Sequence, residues 1–232
     1  AYQKERNPIA KQNLALMLEN VVLAEKNDLV ICQDSGIPSF FVEFGTAVSL
    51  PRGFARAVAE GVEEVTRKIP LRPMMVHPLT RDNPGTNTGE RVPILRFDIL
   101  PDMDYMEITV VPKGAGSEVW SALKIFGPVD ILKNIKKFVL DTVIAAGSRP
   151  CPPIIIGVGL GGTFDEVAVL AKKAAIRPID KRHPDPNIRK MELDLLEAVN
   201  ATGIGPMGLG GDTTALAVNF EVAYTHRPLN PV

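Results

Sequence analysis

Cysteine is scarce in this chain, and so are the larger aromatics: 2 Cys, 1 Trp and 3 Tyr stand among 232 residues. Two thiols set far apart, Cys32 and Cys151, cannot supply the disulfide framework of a small secreted domain. Neither belongs to a C-x-x-C pair, so the usual spacing of a zinc site is missing. No apolar run approaches the ~18–20 residues of a membrane span. The opening segment AYQKERNPIAKQNL is too polar for a signal peptide. An excess of charge of one sign is lacking as well. Lys and Arg number 26 against 27 Asp and Glu, a formal net charge of -1, so nothing marks a nucleic-acid or anionic-membrane partner. These absences lead us to expect a soluble, cytoplasmic protein.

Glycine and proline are abundant instead, at 19 and 20 residues. The glycines cluster in short loops between apolar runs, so the chain is not low in complexity. A hydrophobic fraction of 45% and a charged fraction of 23% are those of an ordinary globular protein, and this length buries a core unaided. No repeat, charge run or linker divides the chain, which predicts one domain over residues 1–232.

Apolar periodicity predicts a helix over the first 27 residues, with Ile9, Leu14, Met17, Val21 and Val22 near one face. Short strands are expected at Asp28–Ile31, running into Cys32, and at Phe40–Phe44. An amphipathic helix follows over Gly53–Lys68 through Phe54, Val58, Val62 and Val65. Residues 70–93 read as a polar loop, longer than the ~12–15 residues beyond which a loop is usually functional or disordered. Ile94–Ile99 and Tyr105–Val111 read as strands paired with each other. Further helices are expected from Lys113–Ser117 onward and over Val129–Ala146, Phe164–Ala175 and Ile188–Val199. Ile154–Ile156 reads as the most buried strand, and Thr214–Tyr224 as an alternating one. The fold class is mixed α/β (α+β), with several helices around mixed sheets and glycine-rich loops facing a common site.

Three motifs carry candidate chemistry. Gly157-x-Gly159-x-x-Gly162 follows a strand, precedes a helix and has Asp180 about 20 residues on, as a nicotinamide-binding fingerprint would. The acid should close a second parallel strand, however, and IRPIDKRHPDP shows none. Tight strand-to-helix packing or an anion-binding loop are the alternatives. Cys32-Gln33-Asp34-Ser35-Gly36 sets a thiol beside an amide, a carboxylate and a glycine turn, a setting for a nucleophile or a metal ligand. Gly147-Ser148-Arg149-Pro150-Cys151-Pro152-Pro153 sets the second thiol in a rigid turn. Against both stands the ordinary reading of an intracellular cysteine as a small buried hydrophobe.

Six motifs in order carry a family resemblance: Cys32–Gly36, Leu71-Arg72, Asn87-Thr88-Gly89, Lys113-Gly114-Ala115-Gly116-Ser117, Cys151-Pro152-Pro153 and Gly203–Gly211. The chain resembles, from about residue 8 to its end, the alpha subunit of the oxygen-sensitive iron–sulfur class I fumarate hydratases and L(+)-tartrate dehydratases. The resemblance implies a [4Fe–4S] cluster on three cysteines with one iron open to substrate. Cys32 and Cys151 match two ligand positions, and the third cysteine is expected beyond Val232. Ala115 stands where the family usually has glycine.

The resemblance further implies a hydro-lyase acting on a C4 dicarboxylate, fumarate to L-malate in preference to tartrate. Dehydration of malate removes a weakly acidic C–H proton and expels hydroxide, a poor leaving group that a Lewis acid would assist. Asp34 would protonate the leaving hydroxide, with His226 a second catalytic candidate. Arg72 would pair one substrate carboxylate, the amides around Gly114 and Gly116 would hold the other, Gln33 would hydrogen-bond substrate, and Asn87 and Thr88 would either line the same substrate-binding pocket or cap the long loop. A beta subunit is expected to supply the remaining groups, in a heterotetramer built on an alpha–alpha dimer. The competing classes are a thiol- and anion-binding module without catalysis and a nicotinamide-dependent oxidoreductase.

Overall fold

The computed structural model describes residues 1–69 and 71–232, so Pro70, first residue of the loop over 70–93, lies outside the described residues. The chain is mixed α/β and divides into two compact units: a larger one of Ala1–Glu19 and Val119–Val232, and a smaller one of Asn20–Glu118. Helix α1 (Pro8–Asn27) runs through the division.

In the smaller unit, β1 (Ile37–Phe44) is the middle strand of three. It pairs in parallel with β2 (Ile94–Ile99), from Ser39 opposite Ile94 to Phe44 opposite Ile99. On its other edge it pairs antiparallel with β3 (Met106–Lys113), from Ile37 opposite Lys113 to Phe44 opposite Met106. The strands expected to pair with each other, β2 and β3, are therefore separated by β1. Phe41 and Val42 of the middle strand are buried, whereas the two flanking strands alternate between half-buried and exposed positions. Helix α2 (Phe54–Lys68) begins on Gly53, in the left-handed conformation at φ +81 that glycine tolerates. Its buried residue is Thr66, while Val65, expected on the apolar face, is 43% exposed.

The strand expected at Asp28–Ile31 does not form. Leu29 N–H bonds back to Ala24 O, and Asp28 turns left-handed at φ +51, so these residues end α1 instead. Leu29 and Ile31 are exposed and have no partner strand to hide their apolar faces.

The larger unit is organised on β5 (Ile154–Leu160) and β6 (Ala215–Val222), a parallel pair from Ile154 opposite Ala215 to Leu160 opposite Val222. Helix α5 (Phe164–Ile176) packs on both strands, α6 (Pro186–Asn200) on β6, and α4 (Ile131–Ala146) on α6. Ile135, Val139, Val158, Met191, Leu195, Val218 and Phe220 form its core. Each fully buried apolar side chain of this kind contributes about 1.5–3 kcal/mol relative to exposure. The most buried strand is β6 rather than Ile154–Ile156, since β5 leaves Ile155 exposed along a sheet edge. A short ribbon of β4 (Ile125–Phe126) and β7 (Asn230–Pro231) completes this unit, and α3 (Ala115–Val119) follows β3 in the chain.

Helix α6 starts two residues before the expected Ile188. Asp185 caps it by accepting from the N–H groups of Asn187 (2.7 Å) and Ile188 (3.2 Å), and Pro186 supplies a preset first position. The glycine fingerprint is explained by packing. A Cβ on Gly157 or Gly159 would collide with the Ala171 or Val167 carbonyl of α5, so these glycines let strand and helix backbones meet. Asp180 sits in the turn after α5, not at a strand end.

Candidate functional site

Eight of the residues singled out from sequence lie in the smaller unit, on three segments of which the first bonds directly to each of the other two. The first is Cys32–Gly36. Gly36, at φ +66, lies so close to Lys113 and Gly114 that a Cβ there would stand 2.6 Å from the Lys113 carbonyl carbon. Only glycine suits that approach. Asp34 joins this segment to the third, Lys113–Ser117, because its Oδ2 accepts the Ala115 N–H at 2.8 Å while Oδ1 accepts the Gly36 N–H at 3.1 Å. A Cβ on Gly114 would press on the Asp34 carboxylate at 3.0 Å. Ser117 stabilises the same turn by donating to Gly114 O at 3.0 Å and lies 2.5 Å from Lys113 Nζ. Gly116 lies within α3, one residue after the bonded Ala115 amide.

The second segment carries Arg72, Asn87 and Thr88. Ser35 Oγ donates to Arg72 O at 2.5 Å, which ties it to the first segment. The Arg72 side chain is exposed, with no hydrogen bond or ion pair among the described residues. Of the two readings for Asn87 and Thr88, pocket lining or loop capping, the contacts match the second: both side chains bond within the protein. Asn87 is 3% exposed, and its amide bonds to Met74 N, Arg72 O and Thr66 Oγ1. Thr88 donates to Glu63 Oε1 of α2 at 3.0 Å. Sequence reasoning assigned no role to Ser35, Glu63 or Thr66; Ser35 left a trace inside the Cys32–Gly36 motif, and Thr66 as a polar residue on the inward face of an amphipathic helix.

Both thiols are exposed and unbridged, which removes the buried-hydrophobe reading. The Asp34 N–H points at Cys32 Sγ from 3.4 Å. Gln33, between them, is exposed.

Cys151 and His226 belong to the larger unit. Cys151 is left-handed at φ +57, its N–H bonded to Ser148 O at 3.0 Å. The second glycine loop packs against this turn: Met207 N–H donates to Pro152 O at 2.8 Å, and a Cβ on Gly208 would collide with Ser148. Arg149 lies over Trp120 with its guanidinium carbon 4.4 Å from the ring centre. All of this stands before the first residue of β5. His226 stands past the last residue of β6, in an open cleft of about 520 Å³ with Gly162, Phe164, Tyr224, Thr225 and Leu229. Because β5 and β6 run parallel, the two residues occupy opposite ends of a seven-residue ladder, roughly 20 Å at ~3.3 Å per residue. The expectation that all glycine loops and both residues face one common site therefore does not hold within this unit. Gly203–Gly211 accompanies Cys151, and Gly161-Gly162 accompanies His226.

The N-terminal residues clamp the second glycine loop. Arg6 grips the Asp212 carboxylate with Nε at 2.8 Å and Nη2 at 2.6 Å, while buried Glu5 accepts the Asp212 N–H at 3.0 Å. Bonding to Arg6 holds the Asp212 carboxyl down at about 2. A second polar cluster is buried in the core. Glu192, fully buried on α6, pairs with Arg177 and accepts from Phe220 N at 2.9 Å and His183 N at 3.1 Å.

An exposed thiol, a fixed carboxylate and a guanidinium with no partner among the described residues thus stand on loops tied together by hydrogen bonds. The chain belongs to the fumarate hydratase (fumerase) family, whose model matches residues 1–232. It is a family of hydro-lyases. Within it, the chain is 45% identical over its full length to 82% of a Methanocaldococcus jannaschii protein provisionally named L(+)-tartrate dehydratase subunit alpha. It is 37% identical, over 90% of its own length and 69% of the relative's, to the L(+)-tartrate dehydratase subunit alpha of Escherichia coli K12. The Shigella boydii protein of that name matches equally. Among the described residues no helix is long and apolar enough to cross a membrane.

Proposed function

We propose that this chain is the alpha-type subunit of a cytoplasmic iron–sulfur hydro-lyase that interconverts fumarate and L-malate together with a beta-type partner. The observation that carries the reading is that the Cys32–Gly36 segment, which holds the thiol and the Asp34 carboxylate, is hydrogen-bonded both to the Arg72 backbone and to the Ala115 amide. Cys32 and Cys151 fit as cluster ligands, being free, exposed thiols, the first with an N–H directed at its sulfur. Among the described residues no group of three or more His, Cys, Asp or Glu is arranged to hold a metal. The third cysteine ligand is proposed, from the family resemblance alone, to lie beyond Val232. When bound, a [4Fe–4S] cluster supplies an open Lewis-acidic iron for the hydroxyl and one carboxylate of malate.

The chain's own residues do the rest. Arg72 pairs a substrate carboxylate through two parallel N–H donors, and the amides of Gly114 and Gly116 receive the other carboxylate. Gln33 offers an amide at the rim. Asp34 moves the proton. Each of its oxygens accepts one backbone N–H and keeps a lone pair, so the group is oriented yet able to carry a proton to the departing hydroxide. His226, which lines the cleft past the end of β6, is proposed as the second catalytic candidate.

The names of the relatives favour a second reading, L(+)-tartrate as substrate. Anaerobic assays of the cluster-loaded complex with each substrate decide between them, by which one gives the higher kcat/KM. Turnover by this chain without any partner would refute the need for a beta subunit, and a mass measurement on the complex tests the alpha–alpha heterotetramer.

A further inference from the structure

Asn87 has the wrong surroundings for a substrate ligand. Its Oδ1 accepts the Met74 N–H at 2.7 Å, and its two amide protons go to Thr66 Oγ1 and Arg72 O, each at 3.2 Å. Both donors are thus spent inside the protein, and the side chain is 3% exposed. Its backbone adopts a left-handed φ of +56, which asparagine accepts more readily than most residues. Thr66 fixes the far side of the amide, lying 2.7 Å from Val62 O and 3.2 Å from Thr86 O, so Asn87 is anchored to α2.

The Arg72 carbonyl has a second partner. Ser35 Oγ donates to it at 2.5 Å from the loop that carries Asp34. One carbonyl oxygen is therefore held from two directions, by a buried amide rooted in α2 and by a hydroxyl next to the proposed proton carrier. Asn87 also holds Met74, two residues on, so the backbone is fixed on both sides of Pro73. The guanidinium at the end of this fixed backbone has no hydrogen bond or ion pair among the described residues. Such an arrangement leaves the side chain open to a ligand while removing freedom from its root.

We propose that Asn87 and Ser35 are positioning residues that set where the Arg72 guanidinium stands relative to the Asp34 carboxylate, and that neither touches substrate. The proposal rests on the reading of Arg72 as the carboxylate-binding residue. It assigns both residues to substrate affinity and not to the proton step.

The test is a double-mutant cycle on the cluster-loaded enzyme assembled with its partner, with fumarate and L(+)-tartrate as substrates. Losing a hydrogen bond of this kind should raise KM by about 3–10-fold in Ser35→Ala and about 10-fold or more in Asn87→Ala, with kcat near that of the parent. Combined with Arg72→Lys, either change should raise KM no further than Arg72→Lys alone, because the effects pass through one side chain. Additive effects, or a fall in kcat at constant KM, would overturn the proposal. If Asn87→Ala does not assemble, Ser35→Ala decides alone, since its hydroxyl lies outside the core; an unchanged KM there also overturns it. A parent enzyme that turns over neither substrate would instead refute the underlying assignment, and the proposal with it, before any variant is compared.

Discussion

The larger unit buries its sheet and the smaller one does not. In the larger, α5 and α6 lie on β5 and β6, and Ala217, Val218 and Phe220 have no exposed surface. In the smaller, β1 carries nearly all the buried apolar surface, while Phe97, Ile99, Ile108 and Val110 of its neighbours remain 43–60% exposed. Polar bonds take over where apolar burial is thin. Ser35, Asn87, Thr88 and Asp34 each reach across from one segment to another, and every bond has a named donor and acceptor. The lesson is that the two units achieve order by different means. Close packing fixes a core but offers nothing to a charged ligand, whereas loops fixed by hydrogen bonds keep a guanidinium and a carboxylate at the surface in a defined place.

The largest effect that would sharpen this contrast is chemical. Asp34→Asn keeps the size but cannot deliver an acidic proton, so turnover of the assembled enzyme should fall by roughly 10²–10⁴-fold. Its NH2 must face either the Gly36 or the Ala115 N–H, so the melting temperature should drop slightly through the loss of one hydrogen bond, and retained turnover would reduce Asp34 to a turn-forming residue. Next is packing. Phe220→Ala should cost the larger unit about 3–5 kcal/mol in denaturant unfolding, as for other buried aromatics. Phe97→Ala, at 47% exposure, should cost well below that; equal losses would break the comparison.

The buried charge comes third. Glu192→Ala strands Arg177 with Glu221 alone and leaves the Phe220 N–H unpartnered, for which we expect about 3 kcal/mol of destabilisation at the low end of measured buried-pair losses. A loss under 1 kcal/mol would show that water replaces the carboxylate.

The smallest effect is at the N-terminal clamp. Asp212 has its carboxyl lowered from 3.8 to about 2 by Arg6, so the clamp is fully formed above about pH 4. It is lost as pH falls through about 2, when the carboxylate takes a proton. Proteolysis near residues 1–10 by an acid-active protease should rise over that window, and Asp212→Asn should make it high at all pH values.

Local signals were legible wherever a residue's neighbours in sequence are also its neighbours in space. Helices α2, α4, α5 and α6 lie within about two residues of their expected bounds, because a 3.6-residue apolar period and proline punctuation are local properties. The motifs of Cys32–Gly36, Arg72 and Lys113–Ser117 were visible for the same reason: unusual residue types stand side by side.

What sequence could not determine was partnership. That β1 lies between β2 and β3 depends on which edges meet, and each strand's own pattern fits either neighbour. Leu29–Ile31 looked like a strand because apolar runs are ambiguous until a partner edge is present or absent. For Asn87 the residue type suited a substrate pocket and a loop cap equally, and only the tertiary structure shows its donors consumed by Thr66 and Arg72. The sequence by itself determined the residue types, their local periods and the turns that glycine and proline require. Only the tertiary structure decided which strand edges pair, which side chains are buried and which polar atoms keep a free valence, since each depends on contacts between residues that the chain order leaves far apart.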